Sequence, residues 1–102
     1  YILPDGTVFA ESWDDLVLGM IETPPSMTEY GEEPSQGTVW SNTALDGTAV
    51  STEEHCNNWS SKAFEDVGRA GGRTFTDPRW TDYELANPIP CVIDMHLYCF
   101  EQ

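Results

Sequence analysis

From Ala44 to Asn87 the chain is mostly polar, and few apolar positions fall at the period of a helix or a strand. Gly, Ser, Thr and Asp recur throughout the stretch, and clusters of these residues mark turns and loops. Neither a long amphipathic helix nor a regular run of strands fits it. We expect a long ordered loop region, pinned by separate aromatic anchors at Trp59, Phe64, Phe75, Trp80 and Tyr83.

The opening stretch, YILPDGTVFAESWDDLVLG, predicts an extended piece, a Pro4-Asp5-Gly6 turn, a second extended piece and then a helix. Ser12 followed by Asp15 is a capping box, and Asp14 adds acid where the helix dipole favours it. Trp13, Leu16 and Val17 are expected to face the core, with Gly19 ending the helix as its C-cap. Glu22 to Gly37 is rich in Pro, Gly and acid and predicts an ordered loop or a strand interrupted by turns. Thr38 to Trp40 predicts a compact strand, and Asp46-Gly47 a turn. From Cys91 onward, period-two counting puts Ile93, Met95, Leu97 and Cys99 on one wholly apolar face. That face predicts a terminal core strand with Cys99 buried. No internal repeat or low-complexity tract stands out.

At 102 residues there is room for one domain and one core. Its expected parts are a short helix with an acidic loop (1–37), a strand with the long-loop region (38–90) and the terminal strand (91–102). Eighteen Asp and Glu against four Lys and Arg give a formal net charge of −14. Such a balance argues against nucleic acid, which needs a basic face, and against anionic membrane surfaces. It keeps a chain soluble and attracts cations and basic partners. No apolar run approaches the roughly 18 residues of a membrane span. The opening has neither a basic start nor a long apolar middle, so it does not predict a signal peptide. A chain starting at Tyr1 is expected to be processed or trimmed, as exported proteins are.

There are three cysteines. Cys56 and Cys91 flank the polar region and could pair, which would close a loop of about 34 residues and contribute roughly 3–4 kcal/mol. Cys99 would then be left over, pointing to an intermolecular bond or a free thiol. All three could instead be small buried residues.

Several motifs occur together in order: DGTVFAESWDDL (Asp5 to Leu16), VWSNTALDGT (Val39 to Thr48), CNNW (Cys56 to Trp59), Gly68-Arg69, DPRWT (Asp77 to Thr81) and HLYCFEQ (His96 to Gln102). In these the chain resembles the bacterial endostatin-like family within the C-type lectin-like fold, a group of exported proteins that includes leptospiral surface lipoproteins. The resemblance implies an α+β domain with a twisted antiparallel sheet, one short helix and a long ordered loop region. It also implies a Cys56–Cys91 disulfide. Family members usually begin earlier, with a strand and a Cys-bearing helix. By that comparison this chain is the later two-thirds of the domain, and the expected partner of Cys99 is the Cys of the missing helix. That helix was truncated away, or is supplied by a companion chain after cleavage or by a neighbouring subunit.

The resemblance brings calcium into question, since calcium needs six to eight converging oxygens. Glu33-Pro34-Ser35 and Asn57-Asn58-Trp59 depart from the triplets of calcium-dependent lectins, so the sugar-coordinating site is expected to be absent. Asp46, Asp66, Asp77 and Asp82 are the candidates for a structural calcium; no other cofactor is expected. Zinc on His55, Cys56, Cys91, His96 and Cys99 lacks the usual close ligand pairs. A Cys–His dyad needs an exposed, activated thiolate, whereas these cysteines read as oxidised or buried. Asp14 and Asp15 are explained by helix capping. Trp40 and Trp59 are expected to fill the core. Trp80 and Tyr83, set among Asp77, Arg79 and Asp82, read as ligand-binding candidates, because Trp, Tyr and Arg anchor binding hot spots. With these residues as the candidate site, the resemblance implies an extracellular, non-catalytic module for a protein or glycan ligand. The rival is a structural subunit of a multi-chain assembly or surface filament.

Overall fold

A computed structural model of the chain describes residues 1–28 and 30–98. It is a small α+β structure. The elements are helix α1 (Trp13–Leu18), strand β1 (Thr38–Trp40), strand β2 (Val67–Gly68), strand β3 (Ala70–Gly72), a 3₁₀ turn at Pro78–Trp80 and strand β4 (Ile89–Pro90). β1 pairs antiparallel with β3, Val39 opposite Gly71, and β2 pairs antiparallel with β4. The single twisted sheet expected from the sequence is thus two separate two-stranded pairs.

Local signals fold as read. The Ser12 hydroxyl accepts from the Asp15 N–H at 3.2 Å, which satisfies one of the donors a helix start leaves open. Gly19 caps the other end at φ 74° and returns its N–H to Leu16. Its lack of a side chain also matters, since a Cβ there would lie 2.8 Å from Leu45 and 3.0 Å from Pro78. The two Asp-Gly-Thr triplets fold alike. In each, the aspartate Oδ1 accepts from both the N–H and the hydroxyl of the threonine two residues on, at Asp5–Thr7 and at Asp46–Thr48. These are Asx turns, and the threonine hydroxyl is the main reason both carboxyls sit below their ordinary pKa.

The core is in two parts. Phe9, Ala10, Ile21 and Trp80 form one cluster, with Leu3, Leu16, Phe75 and Tyr98 packed on it. Trp40, Cys56, Ala70 and Cys91 form the other, flanked by Ile89 and Met95. Trp80 joins the first through edge contacts to Phe9 at 5.3 Å and Tyr98 at 5.7 Å. The Tyr98 hydroxyl donates to the Trp80 carbonyl at 2.6 Å, and burial raises its pKa well above the ordinary value.

Several expected core positions lie elsewhere. Trp13 is 55% exposed and Val17 is half-buried, whereas Leu16 packs on the first cluster as expected. Trp59 is 40% exposed, leaning on Trp40 at 5.8 Å, and Phe64 is exposed rather than an anchor. The terminal segment departs most. Residues 91–98 hold no strand beyond a single parallel bridge from Leu97 to Trp40. Met95 packs, half-buried, on the second cluster, but Ile93 and Leu97 are exposed, so the apolar face as a whole is not a core face. A turn is the cause: Cys91 bonds the Asp66 carbonyl, and the Ile93 N–H folds back onto Pro90. Alternation has structural meaning only in extended backbone. The expected burial of Cys99 lies outside the described residues.

Cys56–Trp59 makes one helical turn of the wrong hand for L-residues. Its four φ values are 51°, 52°, 57° and 62°. A left-handed turn costs roughly 1–2 kcal/mol per residue, least for Asn, and two of the four positions are Asn57 and Asn58. The His55 ring accepts from the Asn58 N–H at 2.8 Å, and Ser60 closes the turn onto Cys56. Asn57→Val is expected to lower stability by about 1–2 kcal/mol, whereas Asn57→Gly lowers it little or raises it. Urea unfolding of the two variants checks this.

Candidate functional site

The ligand candidates read from the sequence meet around the 3₁₀ turn, in different roles. Asp77 caps the turn, accepting from the Arg79 N–H at 3.0 Å, and also takes the Arg79 side chain, Nε to Oδ1 at 2.9 Å. That guanidinium is the main reason the Asp77 carboxyl lies below its ordinary pKa. It lies 4.0 Å over the Phe75 ring, which meets Tyr83 edge-on at 5.0 Å. Arg79, Phe75 and Tyr83 thus form a stack held by cation–π and edge contacts. Trp80 points the other way, into the core, and only 6% of it is accessible.

Asp82 belongs to a half-buried polar network. Arg69 donates to it from Nε at 3.0 Å and Nη2 at 3.1 Å, and to Glu54 from Nη1 at 2.8 Å. Asn87 donates to Asp82 at 2.8 Å and bridges both backbone groups of Ala70. Burial works against the charge on Arg69, but the bonds to Glu54 and Asp82 outweigh it and hold the guanidinium above its ordinary pKa. Removing one member of such a network leaves partners desolvated and uncompensated. Arg69→Met is expected to cost about 2–3 kcal/mol, measurable by denaturant unfolding. Arg69→Lys should not restore it, because one ammonium cannot reproduce the fork to Asp82 together with the bond to Glu54.

These segments wall a groove of about 700 Å³. Its lining comes from the segment of the Asp46 turn and Val50, from Pro78, Arg79 and Thr81 to Leu85, and from Val17 of α1. The Thr81 hydroxyl fixes the first two together, bonding the Thr43 carbonyl at 2.6 Å and the Ser41 hydroxyl at 3.1 Å. The Tyr83 N–H bonds Ala70 at 2.9 Å, which ties the second to β3. Leu85 and Val50 stand on the rim, 88% and 36% exposed. Sequence reasoning found Arg79, Asp82 and Tyr83. It missed Leu45, Val50 and Leu85, isolated apolar residues that no local pattern distinguishes from loop filler.

The four calcium candidates do not converge. Asp46 serves its Asx turn, Asp66 accepts from the Ser61 hydroxyl, Asp77 holds Arg79 and Asp82 holds Arg69. Among the described residues no group of three or more His, Cys, Asp or Glu is placed to hold a metal ion. Of the zinc set, Cys56 and Cys91 are joined to each other with Cα atoms 5.7 Å apart. His55 caps the left-handed turn, and Cys99 lies outside the described residues. Glu33, from the Glu-Pro-Ser triplet, pairs with the buried Arg73 at 3.1 Å.

A second, smaller depression of about 340 Å³ is lined by both disulfide cysteines, Trp59 and the exposed Ile93 and Leu97. No helix among the described residues is long and apolar enough to cross a membrane. Compared with family models, curated proteins and solved structures, the chain matches none.

Proposed function

We propose that this chain is a non-catalytic recognition module acting outside the cell, which seats a protein or glycan ligand in the groove between the Asp46 turn and Pro78–Leu85. One observation carries this reading: a preformed concavity is lined by apolar Val17, Leu45, Val50, Pro78 and Leu85 together with charged Asp46, Arg79, Asp82 and Glu84. Among the described residues nine hydrophobic residues are buried, whereas fourteen large ones are exposed, Leu85 and Val50 at this rim included. Exposed apolar patches framed by polar groups are the usual mark of a binding face. The disulfide is compatible with an oxidising compartment. With Cys56 and Cys91 bonded to each other, neither sulfur is left as a nucleophile. We keep the C-type lectin-like, endostatin-like reading of the fold within this proposal. Its support is the single short helix ahead of a loop-rich, disulfide-pinned middle.

The reading is tested by thermal shift against panels of glycans and peptides. A ligand should raise the melting temperature of the native chain and fail to raise that of a Leu85→Asp, Val50→Asp variant. Ligands that stabilise both proteins equally would place recognition elsewhere and end the reading.

The patch of Trp59, Ile93 and Leu97 favours a second reading, a structural subunit whose core is completed by a companion chain or neighbouring subunit. Sedimentation and intact mass, with and without reductant, separate the two. Regular assemblies linked through Cys99 would favour the subunit.

A further inference from the structure

Resting on the reading of the groove as the ligand site, we propose that its occupant is a basic segment of a partner protein, carrying an apolar side chain next to a lysine or arginine. Charge and surface chemistry together select it. The groove and the groups bonded to it hold five carboxylates, Asp46, Glu54, Asp77, Asp82 and Glu84, against two guanidiniums, Arg69 and Arg79. Arg69 is shared by Glu54 and Asp82, and Arg79 is taken by Asp77. Among the described residues, Asp46 and Glu84 make no ion pair, and both are exposed at the groove.

An ionised carboxylate only accepts hydrogen bonds, so these two groups complement a ligand that brings donors and positive charge. Asp46 is kept ionised by Thr48. The same groove is also lined by apolar Leu45, Val50, Pro78 and Leu85. That suits an aliphatic side chain, or the stem of a lysine or arginine. The net charge of −14 draws such a segment in from a distance.

The test uses fluorescence anisotropy with a labelled peptide of three Gly-Leu-Lys repeats. Controls are Gly-Leu-Glu repeats, which reverse the charge, and Gly-Ser-Lys repeats, which remove the apolar side chain. The first should bind and both controls should bind at least about tenfold more weakly. Asp46→Asn with Glu84→Gln should weaken Gly-Leu-Lys binding about fivefold. Asparagine keeps the Asx turn, and these exposed changes should leave the melting curve unchanged. Leu85→Ser with Val50→Ser should weaken binding about tenfold.

If only the Leu85 and Val50 changes matter, the groove reading stands and the cationic inference falls. If neither pair of changes matters, the peptide is held by the general acidity of the surface and the groove reading falls with it. Tight binding of Gly-Leu-Glu repeats would also overturn the proposal. So would displacement of the peptide by a neutral oligosaccharide such as maltohexaose, or by calcium.

Discussion

Cys56→Ser is expected to destabilise the chain by about 4 kcal/mol, and Cys91→Ser by the same amount. The bond joins residues 35 apart in sequence, and releasing a loop of that length returns about that much conformational freedom to the unfolded chain. Little regular structure opposes the loss, since β2, β3, β4 and the 3₁₀ turn all lie inside the loop and none exceeds three residues. Both cysteines are buried, at 3% and 4% exposure, so a serine hydroxyl there also meets an apolar surround. A domain of this size has about 5–15 kcal/mol of total stability. Either substitution should therefore leave much of the chain unfolded near body temperature. The two substitutions act on one bond, so the double variant should match either single one. Urea unfolding of the native chain with and without reductant gives the same number independently. A shift below about 1 kcal/mol on reduction would show that the loop region holds itself.

Gly71→Ala is the second large effect, expected to cost about 3 kcal/mol or more, at the upper end of overpacking. A Cβ on Gly71 would lie 2.0 Å from the Trp80 carbonyl oxygen and 2.9 Å from the Thr81 carbonyl carbon. Those are backbone atoms, which cannot swing away as a side-chain tip can. The 3₁₀ turn must lift off β3, drawing Trp80 out of the Phe9 cluster and stretching the Thr81 bonds that fix the groove. The same methyl group should therefore reduce both stability and peptide affinity. Calorimetric melting together with anisotropy checks the pair. Full stability in Gly71→Ala would mean that β3 and the turn do not abut.

The two cysteines and this glycine show what the residues disclosed about the fold and what they withheld. Helix α1 with its caps, the Asp46-Gly47 turn, β1 and the Cys56–Cys91 pairing were all legible, the first three because their determinants lie within a few residues. Gly71 looked like loop filler, because its meaning comes from Trp80, nine positions on. Arg69 carried no visible role until folding placed it between Glu54 and Asp82. The terminal alternation of Ile93, Met95 and Leu97 was real in sequence, but the turn at Pro90–Ile93 removed the extended backbone that gives alternation a face. At the groove, the charged and aromatic half was visible as the cluster Asp77 to Tyr83. The apolar half was not, because Leu45, Val50 and Leu85 are adjacent only in space. Trp80, read as a ligand anchor, is instead the core residue that positions the wall.

The central claim is that recognition takes place in this groove, and backbone amide NMR tests it most directly. Titrating the isotope-labelled chain with the Gly-Leu-Lys peptide should move the resonances of residues 44–50 and 79–85 first and furthest. Amides around Trp59, Ile93 and Leu97 should stay in place. Shifts confined to that second patch, or spread evenly over the acidic surface, would contradict the account.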